Sequence, residues 1–476
     1  MSACTRLPIC QPFTLGGTIS GLASGNTVTL ADGQQGTITQ GNGRFTFPFR
    51  LYNNTHYSVT LVGQPSGQTC TVSSGVGSIP NANVTDISVQ CTTPSDKVDC
   101  DPYVCTSENA LAAGIVSALN GNVTGYVVIV GSRPPFYGGM ARTSVDPPAT
   151  PMAPDLLMQT GSVSKTLTAV GVLQELQALG LTINDPVLPY IYKNWVSPPA
   201  KDISQITFEN FLTHTSGFPN NDQNKCLTSV YAQLEAQILA GVTLPATPQY
   251  SNCNFAIFRE LLPIMEGDTW LNGLAQPDST RPPYSALLYV SYMNEHVFAP
   301  LGVGTNRSGG VLCAPPGSTP LAWILPVPGI EVLSYSSAAG ASPGGNTGDL
   351  TLSCGGEGWV LSANELFTII NDLANGSVLL SKTQEATMRN NFLGWDNAVG
   401  RYCGDQNNQN VCKNGFLAPN FWTYAGILNC SIPVVVFANS PVPDGDPIPL
   451  VTTAYNNASV ACHAGPTQAC QCPPAP

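Results

Sequence analysis

The chain changes character at residues 92–97 (TTPSDK), a polar, proline-containing segment that is typical of a linker. Before this segment, short runs of β-prone residues alternate with turn signals such as the Gly-Asn-Gly of residues 41–43. Strands at such short, regular spacing predict a small β-sandwich. We therefore expect an all-β module over residues 1–95, with Cys70 and Cys91 as its internal disulfide.

Residues 96–476 are expected to form a second, larger domain that ends in a cysteine-rich tail. Its clearest early signals are a buried strand at residues 125–131 and a helix at residues 162–179 that ends before Gly180. Further elements are expected near the end of the domain: strands at residues 421–428 and 432–438, and a closing helix at about residues 449–460. A sheet built from both ends of the domain, with a helical region inserted between them, is the simplest arrangement of these elements.

The charge of the chain limits its partners. It has 29 acidic and 17 basic residues, a formal net charge of −12, and no cluster of lysines or arginines. Nucleic acid is therefore not an expected partner. No stretch is long and apolar enough to predict a transmembrane segment. The sequence has no histidine cluster, so we expect neither a metal ion nor another cofactor.

Sixteen cysteines, an even number, indicate disulfides and hence an oxidising compartment. We expect a secreted, periplasmic or cell-surface protein. The first 13 residues lack the apolar run of a signal peptide, so the sequence is expected to begin after one. Residues 1–4 (MSAC) have a short similarity to the end of a lipoprotein signal.

Ser162 and Lys165 carry the main chemical signal, because they lie at the start of the expected helix. Residues three apart on a helix share a face, so the amine can accept or orient the proton of the hydroxyl. The preceding Gly161 allows a tight turn, and the helix N-terminus directs its positive dipole end at an oxyanion formed there. A helix-capping serine beside a surface lysine has the same spacing. Further motifs are therefore needed to distinguish a catalytic pair from a helix cap.

Tyr250 and Asn252 belong to a Tyr-x-Asn tripeptide whose position in the sequence distinguishes it from others of the same pattern. The same tripeptide also begins at four other tyrosines: Tyr52, Tyr192, Tyr292 and Tyr455. Only Tyr250 follows a proline-containing loop and precedes a run with helical spacing, a position that can present a phenol to a cleft. We expect Tyr192 and Tyr292 to be packing residues.

Lys413-Asn414-Gly415 is the third candidate motif, and it lies just before the late strands in a region with few lysines. A lysine near a phenol favours the phenolate and can also attract a substrate carboxylate. The glycine allows backbone and substrate to approach closely. A hairpin turn with a solvated lysine is the structural alternative.

In this order, the three motifs resemble those of the penicillin-recognising serine hydrolases, the serine β-lactamase-related family. The similarity is to class C β-lactamases and to related esterases and D-amino-acid peptidases, and it covers about residues 105–460. Four surrounding segments match family signatures: residues 158–169 (MQTGSVSKTLTA), 206–217 (ITFENFLTHTSG), 299–302 (APLG) and 358–362 (GWVLS). The resemblance implies an α/β (α+β) fold with an antiparallel sheet and a helical subdomain. The N-terminal module, in turn, resembles Ig-like sandwich modules of bacterial secreted proteins, and we expect a spacer or a contact with a cell surface or polymer.

The resemblance also implies a mechanism in which Ser162 attacks a carbonyl and water hydrolyses the acyl-enzyme. Lys165 and Tyr250 are expected to handle the proton, and two lysines around one phenol favour Tyr250 as the base without excluding Lys165. Asn252 is expected to bind the acyl side of the substrate. Three residues of the third motif, Lys413, Asn414 and Gly415, are also expected to contact substrate. The oxyanion hole is expected to consist of the backbone N–H groups of Ser162 and Phe416.

One departure from the family pattern affects the substrate. The position after the motif lysine usually holds Thr or Ser, and here it holds Asn414. With Phe416 at the cleft edge, this favours an ester hydrolase, while the retained Lys413 favours acidic substrates. We therefore expect a secreted esterase. The alternatives are a D-amino-acid peptidase or amidase, a class C-like β-lactamase, and, in a different class, an inactive binding or adhesion protein.

Other catalytic arrangements fit less well. Residues 340–344 (GASPG) match the nucleophile elbow of α/β-hydrolases, but the residue after Ser342 must donate its N–H there, and Pro343 has none. His214 is expected to be a buried structural imidazole. Two disulfides are expected near the site: Cys403–Cys412, on the loop before Lys413, and Cys226–Cys253.

Overall fold

The computed structural model of the protein describes residues 11–33, 36–100, 104–219, 226, 232–269, 271, 281–307, 309–316, 330–404 and 410–461. The segment with similarity to a lipoprotein signal and the cysteine-rich C-terminal tail lie outside these residues. The described chain divides into two compact units. One contains the residues up to Asp96 together with Ser132–Phe136, and the other contains Lys97–Gly131 and the residues from Tyr137 onward.

The first unit consists of two four-stranded sheets. Its strands are β1 (Pro12–Ser20), β2 (Val28–Asp32), β3 (Gly36–Gln40), β4 (Gly43–Tyr52), β5 (His56–Gly63), β6 (Thr69–Ser73), β7 (Val76–Ser78) and β8 (Val84–Thr92). The strand orders are β4-β1-β8-β6 and β3-β2-β5-β7. Apolar residues of both sheets form one core, to which β4 contributes Phe45 and Phe47 at alternating positions. Cys70 and Cys91 join β6 to β8, so the predicted disulfide is confirmed.

The second unit is built around a six-stranded sheet with the order β13-β12-β11-β18-β17-β16. These strands are β11 (Gly125–Val130), β12 (Phe136–Arg142), β13 (Thr150–Pro151), β16 (Val411–Leu417), β17 (Phe421–Leu428) and β18 (Ile432–Ala438). The pairings of β11 with β18, β18 with β17, and β17 with β16 are antiparallel. The three predicted strands are confirmed as β11, β17 and β18. Residues from both ends of the unit therefore form the sheet, and β16 is its edge.

Helices surround this sheet and fill the middle of the unit. They are α1 (Glu108–Leu119), α2 (Ser164–Ala178), α3 (Phe208–Leu212), α4 (Ala232–Ala240), α5 (Cys253–Ala256), α6 (Phe258–Met265), α7 (Arg281–Met293), α8 (Ala363–Asn375), α9 (Lys382–Asn390) and α10 (Pro447–Ala458). Every residue of β11 and β18 is buried, which explains their unbroken apolar sequences. Helix α8 packs against β18, and α1 packs against both α10 and β11.

Two helix boundaries differ from the sequence predictions. The predicted helix at residues 162–179 begins as a 3₁₀ turn, Gly161–Val163, and continues as α2 to Ala178. The closing helix begins at Pro447 rather than near residue 449, because the Asp446 side chain caps it by accepting a hydrogen bond from the Ile448 N–H.

Short strands and disulfides complete the second unit. The remaining strands are β9 (Val98–Cys100), β10 (Val104–Ser107), β14 (Met158–Gln159), β15 (Val360–Leu361) and β19 (Ser459–Ala461). The predicted disulfides Cys226–Cys253 and Cys403–Cys412 are confirmed. Two further disulfides, Cys100–Cys105 and Cys313–Cys354, were not predicted. Within the described ranges, none of the helices has the length and hydropathy that a membrane crossing requires.

Candidate active site

Ser162 lies in the 3₁₀ turn that precedes α2. This turn packs against the edge strand β16. The turn is held in place by Thr160, whose carbonyl accepts a 2.7 Å hydrogen bond from Thr423 on β17. Gly161 has φ +54°, and a Cβ there would lie 2.9 Å from the carbonyl oxygen of Phe416. Only glycine combines this conformation with so close an approach. The sequence Gly161-Ser162 therefore presents the hydroxyl beside the edge strand.

Lys165 is fully buried one turn further along and reaches back to the serine. Its Nζ donates hydrogen bonds to Ser162 Oγ at 3.1 Å and to the Gly356 carbonyl at 2.6 Å. Burial lowers the pKa of Lys165 from its usual value, and the positive charge of Lys413 lowers it further, although Tyr250 opposes both effects. The spacing of the two residues in the sequence thus becomes a direct contact.

Tyr250 approaches the same hydroxyl from another direction. Its Oη lies 2.8 Å from Ser162 Oγ, and the ammonium nitrogens of Lys165 and Lys413 lie 5.1 and 4.9 Å from its ring centroid. Burial acts to raise the pKa of Tyr250 and the nearby Asp396 carboxylate adds to this, but the two lysines outweigh both, and the pKa falls below its usual value. The surroundings therefore favour a phenolate in contact with the serine.

His214 packs against Tyr250, and its Nδ1 contacts groups other than the Ser162 hydroxyl. Its Nδ1 accepts a hydrogen bond from the Ser251 N–H at 3.2 Å and also lies 3.0 Å from the Asn254 side-chain nitrogen. A backbone N–H can only donate, so Nδ1 is unprotonated and the ring is neutral. Burial, strengthened by the two lysines, holds the pKa of His214 well below its usual value. The ring packs 4.6 Å from the Tyr250 ring.

Lys413 lies on β16 and is almost completely buried, at 2 % exposed. Its Nζ forms a short hydrogen-bonded ion pair with Asp396, whose second oxygen accepts a hydrogen bond from the Asn414 N–H at 3.1 Å. A solvated hairpin lysine, the structural alternative for this motif, is therefore wrong. The ammonium group instead has a carboxylate partner within the protein.

A second cation and a second acid extend this ion pair. Arg401 lies 3.5 Å from Asp396 and is also ion-paired with Asp446. The Asn414 side chain donates a 3.1 Å hydrogen bond to Asp446. Residues 396–401, β16 and the N-terminus of α10 thus meet in one network of two acids and two bases.

The cleft at Ser162 has a volume of about 770 Å³. Polar and apolar side chains both line it, among them Tyr250, Asn252, Glu357, Asp396, Arg401, Asn414, Phe416, Leu417, Ala418, Val399 and Pro248. Phe416 is 45 % exposed and packs on Trp422. Lys413 and Asp396 are equally buried, and of the two only Asp396 contributes to the lining of the cleft.

Close approach of two backbones positions the amides of Ser162 and Phe416. A Cβ on Gly415 would lie 2.2 Å from the Thr160 carbonyl and 3.2 Å from the Ser162 nitrogen. A Cβ on Gly161 would lie 3.0 Å from the Phe416 nitrogen. Both amides therefore lie at the contact between the serine turn and β16.

The structure brings most of the sequence-derived candidates together. Ser162, Lys165 and Tyr250 are in contact, Asn252 and Asn414 line the cleft, and Gly415 lies beneath the serine turn. Four charged residues of the site were missed: Glu357, Asp396, Arg401 and Asp446. No local pattern marks these residues, because their contacts form between segments far apart in the sequence.

Within the part of the chain that the structure describes, no group of three or more His, Cys, Asp or Glu side chains could hold a metal ion. The chemistry available at this site is that of a hydroxyl between an amine and a phenol. Such an arrangement can activate an oxygen nucleophile.

Comparisons with known proteins agree with this geometry. The family model described as Beta-lactamase matches residues 115–403, a range that contains Ser162, Lys165, Tyr250 and Asn252 and ends before Lys413. No curated protein sequence matches the chain.

Solved structures resemble the fold at low sequence identity. The octameric penicillin-binding protein homologue from Pyrococcus abyssi is 16% identical with a TM-score of 0.51, over 73% of this chain and 76% of that one. A β-lactamase/D-alanine carboxypeptidase from Pseudomonas syringae is 17% identical with a TM-score of 0.50, over 75% and 99%. A β-lactamase from Sulfitobacter sp. EE-36 is 16% identical with a TM-score of 0.50, over 73% and 96%. At these identities the similarity concerns the fold.

Proposed function

The chain belongs to the β-lactamase family of serine hydrolases, and from this premise we propose that it is a carboxylic ester hydrolase that forms an acyl-enzyme on Ser162. The observation that carries the proposal is the position of the Ser162 hydroxyl, 3.1 Å from the Lys165 amine and 2.8 Å from the Tyr250 phenol. A hydroxyl in this position can lose its proton as it attacks a carbonyl carbon.

The proposed reaction has two matched halves. Ser162 Oγ forms a bond to the ester carbonyl carbon while its proton passes to the Tyr250 phenolate. The tetrahedral intermediate then breaks its bond to the alkoxide, which leaves as the alcohol with the proton from Tyr250. In the second half, water forms a bond to the acyl carbon while its proton passes to Tyr250. The second tetrahedral intermediate then breaks its bond to Ser162 Oγ, which takes the proton from Tyr250 as the carboxylic acid leaves.

The two lysines have different parts in this proposal. Lys165, in contact with Ser162, keeps the hydroxyl oriented and stabilises the phenolate. Lys413 acts through its charge on Tyr250. The lowered pKa of Tyr250, with Lys165 and Lys413 as its causes, supports the phenol as the general base.

The backbone N–H groups of Ser162 and Phe416 are the proposed oxyanion hole. Their support is the close approach at Gly161 and Gly415, which aligns the serine turn with β16. Two fixed N–H donors at a developing negative charge stabilise the transition state without reorganisation.

The preference for esters rests on the charge of the cleft. Asp396 neutralises Lys413 within the protein, which disfavours substrates that need a free cation for their carboxylate. The apolar rim of Phe416, Leu417 and Val399 suits a neutral acyl or alcohol group. β-Lactams and C-terminal D-alanine peptides carry such a carboxylate, so they rank lower as substrates.

A D-amino-acid amidase or peptidase is the second candidate, and Glu357 favours it. This carboxyl lines the cleft with Ser162, where it can pair with a substrate ammonium group. Burial raises the pKa of Glu357, while Lys165 and Arg259 oppose the shift. A cationic substrate in the cleft therefore has one acidic partner available.

We also propose a secreted or cell-surface location and an accessory role for residues 1–95. Support comes from five disulfides among the described residues, which are typical of extracellular or periplasmic proteins. The two four-stranded sheets of the first unit are compatible with an Ig-like module. Fusing residues 1–95 to a reporter and measuring its retention on cell walls tests this role, and equal retention of the reporter alone contradicts it.

A substrate panel tests the enzymatic proposal. Purified protein is assayed with short p-nitrophenyl esters, D-alanine p-nitroanilide and a chromogenic cephalosporin, with the variants Ser162→Ala and Ser342→Ala as matched controls. We expect fastest turnover of the esters, loss in Ser162→Ala and retention in Ser342→Ala. If the cephalosporin is turned over faster than the esters, the ester proposal is wrong in favour of a β-lactamase. If the anilide is turned over faster than the esters, it is wrong in favour of an amidase.

A further inference from the structure

Asp396 occupies a position that changes what the cleft can recognise. Asp396 contributes to the lining of the cleft and Lys413 does not, but both are almost completely buried, each at 2 % exposed, and they form an ion pair. A substrate at Ser162 therefore meets a neutralised ion pair where the motif lysine alone would present a cation. This arrangement could not be foreseen from the motif Lys413-Asn414-Gly415.

The hydrogen bonds of Asp396 satisfy both of its oxygens. One binds Lys413, and the other accepts from the Asn414 N–H at 3.1 Å and lies 3.5 Å from Arg401. Arg401 is in turn paired with Asp446. Both cations of the network are thus bound by carboxylates of the protein.

The segment that carries Asp396 is fixed to β16. The side chain of Asn397 accepts from the Cys412 N–H at 3.1 Å and donates to the Asn410 carbonyl at 3.0 Å. The Cys403–Cys412 disulfide closes the same loop. The ion pair is buried, and the segment that carries Asp396 is bonded to the strand. A substrate carboxylate therefore has to displace the Asp396 carboxylate before it can bind Lys413.

We propose that Asp396 is a specificity-determining positioning residue whose carboxylate takes the place of a substrate carboxylate on Lys413, so that the cleft selects substrates without a carboxylate near the scissile bond. This inference rests on the proposed hydrolase function of Ser162. It adds that the selection comes from a single acid outside the three motifs.

Removing the acid reverses the selection. In Asp396→Ala, Lys413 becomes a buried cation without its carboxylate, beside a space that opens to the cleft, and a charge-assisted hydrogen bond to a substrate carboxylate becomes available. Asp396→Asn keeps the volume but removes the charge. We expect the same direction of change in both variants, larger in the alanine.

Matched substrates measure this effect. p-Nitrophenyl hexanoate is compared with the mono-p-nitrophenyl ester of adipic acid, which carries a carboxylate on the acyl side of the scissile bond. Phenyl hexanoate is compared with 3-carboxyphenyl hexanoate, which carries a carboxylate on the leaving-group side. For at least one pair, we expect the anionic-to-neutral ratio of kcat/KM to rise by about tenfold in Asp396→Ala, since a hydrogen bond to a charged group has this size. The change should lie in KM of the anionic ester. A ratio taken within each variant cancels a loss of folded protein.

Asp446→Asn is the control, because it also removes one negative charge and a partner of Arg401. The ion-pair partner of Lys413, however, is Asp396 and not Asp446. Its ratio should stay within about twofold of the original, as expected for a partly exposed ion pair. An equal rise in Asp446→Asn, or no rise in either Asp396 variant, overturns the proposal.

A second readout separates this inference from the ester activity itself. Labelling of Ser162 by a fluorophosphonate needs only the nucleophile, and adipate should protect Asp396→Ala from labelling at about tenfold lower concentration than it protects the original protein. Adipamide, the neutral analogue, should protect both equally. If esters are not hydrolysed but this protection appears, the ester proposal fails and the role of Asp396 stands. If Ser162 is not labelled at all, both fail.

Discussion

Tyr250 Oη lies 2.8 Å from Ser162 Oγ, and the ammonium nitrogens of Lys165 and Lys413 lie 5.1 and 4.9 Å from the centroid of the same tyrosine ring. Two positive charges beside one phenol outweigh the effect of its burial and lower the pKa of Tyr250. On this relationship we base the proposal that the tyrosine accepts the serine proton.

Replacing Tyr250 by Phe removes the proton acceptor and keeps the ring. We expect kcat for p-nitrophenyl butyrate to fall by about 10²–10⁴-fold, the usual contribution of general base catalysis, with little change in KM. Tyr292→Phe is the matched control, since Tyr292 is also buried but donates to the Gly171 carbonyl. Its activity should persist at a modest cost in stability. Near-normal kcat in Tyr250→Phe would transfer the role of base to Lys165.

The pH dependence of the reaction should follow Tyr250. A base with a lowered pKa gives kcat/KM that rises with pH and levels off below the usual tyrosine value of about 10. In Lys413→Met a positive charge is lost and the Asp396 carboxylate is no longer offset by the lysine, so the pKa of Tyr250 should rise. The rise in kcat/KM should therefore move to higher pH.

A double variant gives the control for this shift. In Lys413→Met with Asp396→Asn the negative charge of Asp396 is removed as well, so the rise should move less than in the single variant. The measurement is kcat/KM between pH 5 and 10 for a neutral ester. A rise that stays at the original pH in Lys413→Met contradicts the role of this lysine.

Gly415→Ala should separate β16 from the serine turn. The added Cβ would lie 2.2 Å from the Thr160 carbonyl and from Thr423 Oγ1, so the strand has to move. If this displaces the Phe416 N–H, kcat should drop by about 10²–10³-fold, as for loss of an oxyanion donor. Gly345→Ala, where an added Cβ meets no atom within 4 Å, is the control. Unchanged kcat in a folded Gly415→Ala protein would argue against this oxyanion hole.

The Cys403–Cys412 disulfide should matter for activity as well as stability. Replacing both cysteines by Ser should lower the free energy of unfolding by about 2–3 kcal/mol, and loosen the segment that carries Asp396. We expect the anionic-to-neutral kcat/KM ratio to rise. Cys70→Ser with Cys91→Ser, in the first unit, serves as the control and should leave this ratio unchanged. Guanidinium unfolding and the matched esters give the two readouts.

The sequence predicted the elements whose signal is local. The buried strands β11, β17 and β18 are continuous apolar runs, and α2 has helical spacing up to the glycine that follows it. Ser162 and Lys165 could be paired because one helical turn fixes their distance. Tyr250 could be chosen over the other Tyr-x-Asn tyrosines only from its place between a loop and a helix.

Residues that act through distant contacts could not be predicted in this way. Asp396 is 17 residues before Lys413, and nothing near it in the sequence indicates a buried ion pair. Arg401 and Asp446 meet through the fold of β16 against α10, and Gly356 offers its carbonyl to Lys165 from 191 residues away. The general catalytic pattern is local enough to be seen in the sequence. The charged residues to which we attribute its specificity are not.

The central claim is that Ser162 is the residue that becomes acylated. Its most direct test is mass spectrometric mapping of peptides after reaction of the purified protein with a fluorophosphonate. We predict a phosphonyl group on Ser162, no labelling of Ser162→Ala, and normal labelling of Ser342→Ala. A phosphonyl group on any other residue, or labelling that persists in Ser162→Ala, would contradict the account.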